Sequence, residues 1–136
     1  MNIYCINRFK NEYEKLISLK KYRTLEQSLI DYFFNKNICD LMSGVRLNNS
    51  NLTPFIKKRI EGSGGYRLYY LLLIKEDNLY LMFLHPKTGR YGASNIDTKS
   101  IRIIYKEVLE CIKTDDIYEL SLDSEGIEII FIKQSI

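Results

Sequence analysis

Apolar residues in the first quarter of the chain recur with the period of a helix. Phe9, Tyr13, Leu16 and Ile17 fall at i, i+4, i+7 and i+8, which predicts an amphipathic helix over 8–20 with Asn7 placed to cap it. Leu25, Leu29, Tyr32 and Phe33 form a second stripe over 24–35, where Thr24-Leu25-Glu26-Gln27 reads as a capping box. Residues 44–54 hold turn formers and no period, so a loop is expected there. Three strand-like runs follow at 55–60, 66–74 and 79–85, separated by Glu61-Gly62-Ser63-Gly64-Gly65 and Lys75-Glu76-Asp77-Asn78. They read as an antiparallel meander, and the last two, apolar on both faces, belong at the sheet centre. Helical spacing returns at Ile101, Ile104, Tyr105, Val108 and Ile112, a helix over 98–113 capped by Asp97 or Thr98. Runs at 117–122 and 127–133 flank Asp123-Ser124-Glu125-Gly126, a hairpin in which Gly126 supplies the positive φ of the turn. The expected class is α+β: an antiparallel sheet around a three-stranded meander, with two N-terminal helices, one later helix and a C-terminal hairpin.

The 136 residues suit one domain, 1–136, with 115–136 as a hairpin extension. The longest apolar runs, 69–74 and 79–84, are six residues each, far below the ~20 of a membrane-spanning helix. No membrane partner is expected. The first residues, Met1 to Arg8, show no secretory signal, so a cytoplasmic address is expected. Cys5, Cys39 and Cys111 are odd in number and widely spaced, and none lies near His85. They suggest buried thiols, with neither a disulfide framework nor a metal site. The net charge of +3 divides unevenly, +2 over 1–43, +5 over 44–91 and −4 over 92–136. A basic middle can mark a polyanion-binding surface or simply a solvated face.

Side-chain alternation sharpens that choice. If the loop 61–65 joins its strands directly, Ile60 lies opposite Tyr66, Arg59 opposite Arg67 and Lys57 opposite Tyr69. Lys57, Arg59, Arg67 and Tyr69 then share one face. Ile56, Ile60, Leu68, Tyr70 and Leu72 share the other, with Lys58 as the misfit. Two arginines directly opposite each other destabilise a sheet unless something anionic sits between them. The third run leads into His85-Pro86-Lys87-Thr88-Gly89-Arg90-Tyr91. With an odd-numbered connection between the second and third runs, Tyr69 faces His85 and Arg67 faces Lys87. With an even-numbered one, His85 turns to the helix side. A lone histidine is as readily structural as catalytic. Cations interleaved with aromatics on a sheet suit single-stranded RNA, with phosphates held by Lys and Arg and bases stacked on Tyr.

This layout, together with Ile56-Lys57-Lys58-Arg59-Ile60 followed by Tyr66-Arg67-Leu68-Tyr69-Tyr70, resembles the RelE/ParE superfamily of bacterial type II toxin-antitoxin toxins. The resemblance spans roughly 1–112 in layout and 55–91 in motif. It implies a cleft lined by Lys57 or Lys58 and by Arg67, with further groups from His85, Lys87, Arg90 and Tyr91. It further implies a toxin that cleaves messenger RNA on the ribosome and is neutralised by a cognate antitoxin, although ParE-type members act on DNA gyrase. Such cleavage uses the ribose 2′-hydroxyl as nucleophile and requires no metal or cofactor. Catalysis would fall to Arg67, His85, Lys87 and Lys57, with His85 as acid or base, Lys57 or Lys87 as its alternatives, and Arg67 and Arg59 stabilising charge. RNA binding would fall to Arg59, Tyr69, Arg90, Tyr91 and Lys58. The alternative is a non-catalytic RNA- or protein-binding module. The acidic hairpin either masks the basic face or extends the structure.

Overall fold

The computed structural model describes residues 1–62, 65–86 and 97–134. These form three α-helices, two short 3₁₀ turns and a seven-stranded, mostly antiparallel sheet. In chain order they are β1 (Asn2–Cys5), α1 (Asn7–Ile17), α2 (Leu25–Phe33), β2 (Val45–Arg46), β3 (Phe55–Ile60), β4 (Tyr66–Leu73), β5 (Asn78–Pro86), α3 (Thr98–Lys113), β6 (Tyr118–Leu122) and β7 (Ile129–Lys133). The sheet order is β2-β3-β4-β5-β1-β6-β7, so β4 and β5 are interior, as their two-sided hydrophobicity requires. Among the described residues, no helix is long and apolar enough to cross a membrane.

The sheet is covered on both faces. Phe9, Tyr13 and Leu16 of α1 and Leu25, Leu29 and Phe33 of α2 pack on Ile56, Ile60, Leu68, Tyr70, Leu72, Leu79, Leu81 and Leu84. Ile104 and Val108 of α3 lie in a second cluster with Ile6, Phe55, Leu71, Tyr80, Met82 and Ile117. The stripes read from the sequence are therefore the buried faces of the helices, and α3 lies on the side away from α1 and α2.

Several local expectations are corrected. Asn7 is the first helical residue of α1, and Ile6 precedes it as an N-cap without a side-chain bond. Thr24 makes no capping bond, because its backbone is already near-helical (φ −87°, ψ −2°) and its hydroxyl cannot swing over the free N–H groups. The reciprocal capping box lies instead at Asn37 and Asp40, opening the 3₁₀ turn Ile38–Leu41. For α3 the cap is Asp97, whose carboxylate accepts from Ser100 N–H at 2.7 Å. Within 44–54, Val45 and Arg46 pair with Lys57 and Ile56 as a short outer strand.

β1 was not expected, since four residues are too few to display a period. It inserts between β5, to which it is parallel, and β6, to which it is antiparallel. The hairpin β6–β7 therefore continues the main sheet, and Leu120 and Ile129 are buried in the α1/α2 cluster. Gly126 adopts φ 72° in its turn. Because β6 and β7 lie beyond β1, the acidic hairpin is at the far end of the sheet from β3 and does not overlie the basic face.

Candidate nucleic-acid interface

The β3–β4 register is the one alternation predicts: Ile60↔Tyr66, Arg59↔Arg67, Lys58↔Leu68 and Lys57↔Tyr69. The turn between them ends at Gly65, whose φ of 84° suits glycine, and a Cβ there would lie 3.3 Å from Arg59 Nε. The connection from β4 to β5 is even-numbered, because Leu73 pairs with Asn78. An unbroken ladder would then turn His85 to the α1/α2 side. A bulge intervenes: Tyr70 pairs with Leu81 but Tyr69 with Phe83, leaving Met82 as an extra residue. Met82 and Phe83 both face α3, Leu84 returns to the α1/α2 cluster, and His85 arrives directly opposite Arg67.

The result is a grid on one face. Its first row runs Arg59, Arg67, His85 across three adjacent strands, and its second runs Lys57, Tyr69, Phe83. A third row, Phe55, Leu71 and Tyr80, is apolar and belongs to the cluster with α3, where Phe55 stacks on Tyr105 with ring centroids 5.1 Å apart. Glu107 of α3 is tied to α1 by Arg8, whose Nη2 and Nε donate to Oε2 at 2.7 and 3.1 Å.

The aromatic members of the grid touch. Tyr69 and His85 stack at 5.9 Å and 29°, and Phe83 lies 5.7 Å from His85. His85 is 4% exposed and Tyr69 1%. The His85 Nδ1 lies 3.0 Å from the Pro86 carbonyl, which only accepts, so Nδ1 carries the proton and Nε2 presents a lone pair. That Nε2 and the Tyr69 hydroxyl are both buried and have no hydrogen-bond partner among the described residues. Burial pushes the His85 pKa below its usual value; the Pro86 carbonyl opposes this, and nearby Arg67 adds to it. Burial raises the Tyr69 phenol, which stays protonated at neutral pH. The arrangement thus sets the cations Lys57, Arg59 and Arg67 beside an imidazole and a phenol whose polar atoms are both buried.

The expected residues do not all converge. Arg59, Arg67, Lys57, Tyr69 and His85 share the grid. Lys58, the misfit, lies on the face opposite the grid and donates from Nζ to Ser43 Oγ at 3.2 Å. Lys87, Arg90 and Tyr91 lie outside the described residues. Phe83 was missed, since its place beside His85 depends on the bulge. Compared with models of known protein families, with curated proteins and with solved structures, the chain matches none.

Proposed function

We propose that this chain is a RelE-type toxin that binds messenger RNA on the ribosome with the Arg59–Arg67–His85 row and cleaves it. The row itself carries the reading. Arg59 and Arg67 occupy directly facing positions on β3 and β4, so an RNA phosphate bound there is offered two planar forks for its oxygens. In the reaction, RNA binding uncovers the buried Nε2 of neutral His85, which accepts the 2′-hydroxyl proton as the 2′-oxygen attacks phosphorus. Arg67 and Arg59 stabilise the charge of the pentacoordinate phosphate. The P–O5′ bond breaks, and the 5′-oxygen takes its proton from Lys57, leaving a 2′,3′-cyclic phosphate and a free 5′-hydroxyl. The protein works in the cytoplasm, and a cognate antitoxin neutralises it by covering the same cations with an acidic or amphipathic segment.

The burial of Tyr69 and His85 favours a second reading, in which the aromatics are structural and the cations bind RNA or an acidic partner without chemistry. Induced expression in bacteria with mapping of RNA 5′ ends separates the two. New ends on translated messages, accompanied by growth arrest, support the toxin. Unchanged ends with retained RNA binding in vitro support the module.

A further inference from the structure

β7 is the outer strand at one end of the sheet, and its free side is poorly protected. Its ladder with β6 runs uninterrupted from Leu122↔Ile129 to Tyr118↔Lys133. Its five residues, Ile-Ile-Phe-Ile-Lys, contain no proline and a single charge. Natural sheets blunt such strands with prolines, bulges, charges or shortness. The other outer strand, β2, is two residues long and carries Arg46.

Two bonds establish which backbone groups are free. Asp123 N–H donates to the Glu128 carbonyl at 3.0 Å, and Gln134 N–H to the Ile117 carbonyl at 2.9 Å. Even-numbered residues from 128 to 134 therefore turn their N–H and C=O groups towards β6, and Ile129, Phe131 and Lys133 turn theirs outward. The outward N–H of Ile129 is already held, donating to Glu26 Oε2 at 2.9 Å. The backbone groups of Phe131 and Lys133 have no partner among the described residues. Ile129 and Phe131 pack in the α1/α2 cluster. Alternation places Ile130 and Ile132 on the opposite face, where they are 41% and 47% exposed.

We propose that β7 pairs antiparallel with β7 of a second copy of this chain, about a two-fold axis at Ile132. In this register Phe131 of each copy exchanges both backbone bonds with Lys133 of the other, so the outward N–H and C=O groups of both residues are used and Glu26 keeps its hold on the Ile129 N–H. An axis at Phe131 would instead require the Ile129 N–H. The strand is self-complementary about Ile132: each Ile132 meets its counterpart on the apolar face, and each Lys133 lies opposite a phenylalanine ring. No like charges are opposed. Lys133 already lies over an aromatic ring, 5.0 Å from that of Tyr118, and is neutralised by Asp116. The contact is narrow, so the dimer is weak and forms with rising concentration. It joins two sheets edge to edge, with the Arg67 grids on the same side at opposite ends, and it does not depend on what those grids do.

Sedimentation equilibrium on the full chain tests the association. The weight-average mass should rise from 16.1 kDa towards twice that value across roughly 10–1,000 µM, and Ile132→Lys, which opposes two ammonium groups, should hold it at the monomer value. Cysteine substitution tests the register. Facing residues of a non-hydrogen-bonded antiparallel pair have Cα atoms ~4.5 Å apart, within disulfide reach. In a Cys39→Ser background, Ile132→Cys should therefore oxidise to a covalent dimer and Ile130→Cys should not. A monomer mass throughout, or equal cross-linking from the two positions, overturns the proposal. Circular dichroism confirms that each variant is folded. If Ile132→Lys is not, the cysteine pair decides alone.

Discussion

Arg67 and His85 stand directly opposite each other on β4 and β5, although the even-numbered connection between those strands would by itself have separated them onto opposite faces. One extra residue, Met82, reverses the outcome. Its bulge turns the last part of β5 over, so that Leu84 enters the core and His85 joins the cations. The candidate site therefore depends on an irregularity in the ladder, and bulges commonly re-aim side chains in this way.

Arg67 is the most direct test of the chemistry. Arg67→Ala should reduce RNA cleavage ~100-fold or more and relieve growth arrest, as expected when a charge-stabilising donor is removed from a transition state. Arg67→Lys keeps the charge and loses the fork. Cleavage should fall with it, whereas simple RNA binding, measured by filter retention, should change little. A folded Arg67→Ala protein with full toxicity refutes the assignment.

The Arg59–Arg67 pair predicts a trade between stability and binding. Arg59→Gln removes one of two like charges at facing strand positions and should stabilise the folded protein by roughly 0.5 kcal/mol in urea unfolding. The same variant should bind RNA more weakly and with a shallower salt dependence, because one phosphate contact is lost. Wild-type stability should rise with added polyphosphate, and the increase should be smaller in the variant.

His85 predicts a pH dependence of stability. Its folded-state pKa lies below the unfolded value of about 6.5, with burial the main cause, so the unfolded chain binds the proton more readily. The preference for the neutral ring is fully present above pH 6.5 and is lost as pH falls from there through the folded-state pKa. Urea midpoints measured from about pH 7 to pH 5 should fall more steeply for wild type than for His85→Gln, whose side chain does not titrate. Parallel curves would show that His85 is not held neutral.

The C-terminal hairpin is part of the folding unit. Leu120 is 5% exposed within the α1/α2 cluster, and β6 pairs with β1. Leu120→Ala should cost ~2–5 kcal/mol in denaturant unfolding. Removing residues 115–136 should abolish cooperative unfolding, not yield a more active RNA binder. A truncated chain that unfolds cooperatively and binds RNA more tightly would restore the masking role.

Much of this was legible in the sequence. The stripes Phe9–Tyr13–Leu16 and Leu25–Leu29–Phe33 identify two helices and their buried faces, because a helical period is local. The Arg59–Arg67 and Lys57–Tyr69 pairings follow from alternation once a short loop joins two strands, and the structure reproduces both. The strands that place His85 were less readable. β5 is apolar on both faces, so a one-residue slip at Met82 leaves no mark in its hydrophobic pattern. The bulged register places Leu84 in the core under α1 and α2, a burial that depends on segments distant in the chain. β1 is four residues long and takes its place through ladder bonds to β5 and β6, which lie more than seventy and a hundred residues away in the chain, and through burial of Ile3 and Cys5 in the core. The position of the acidic hairpin at the far end of the sheet follows from that same insertion. Helical period and strand alternation are carried by neighbouring residues, whereas strand order and the bulge are decided by burial between distant segments.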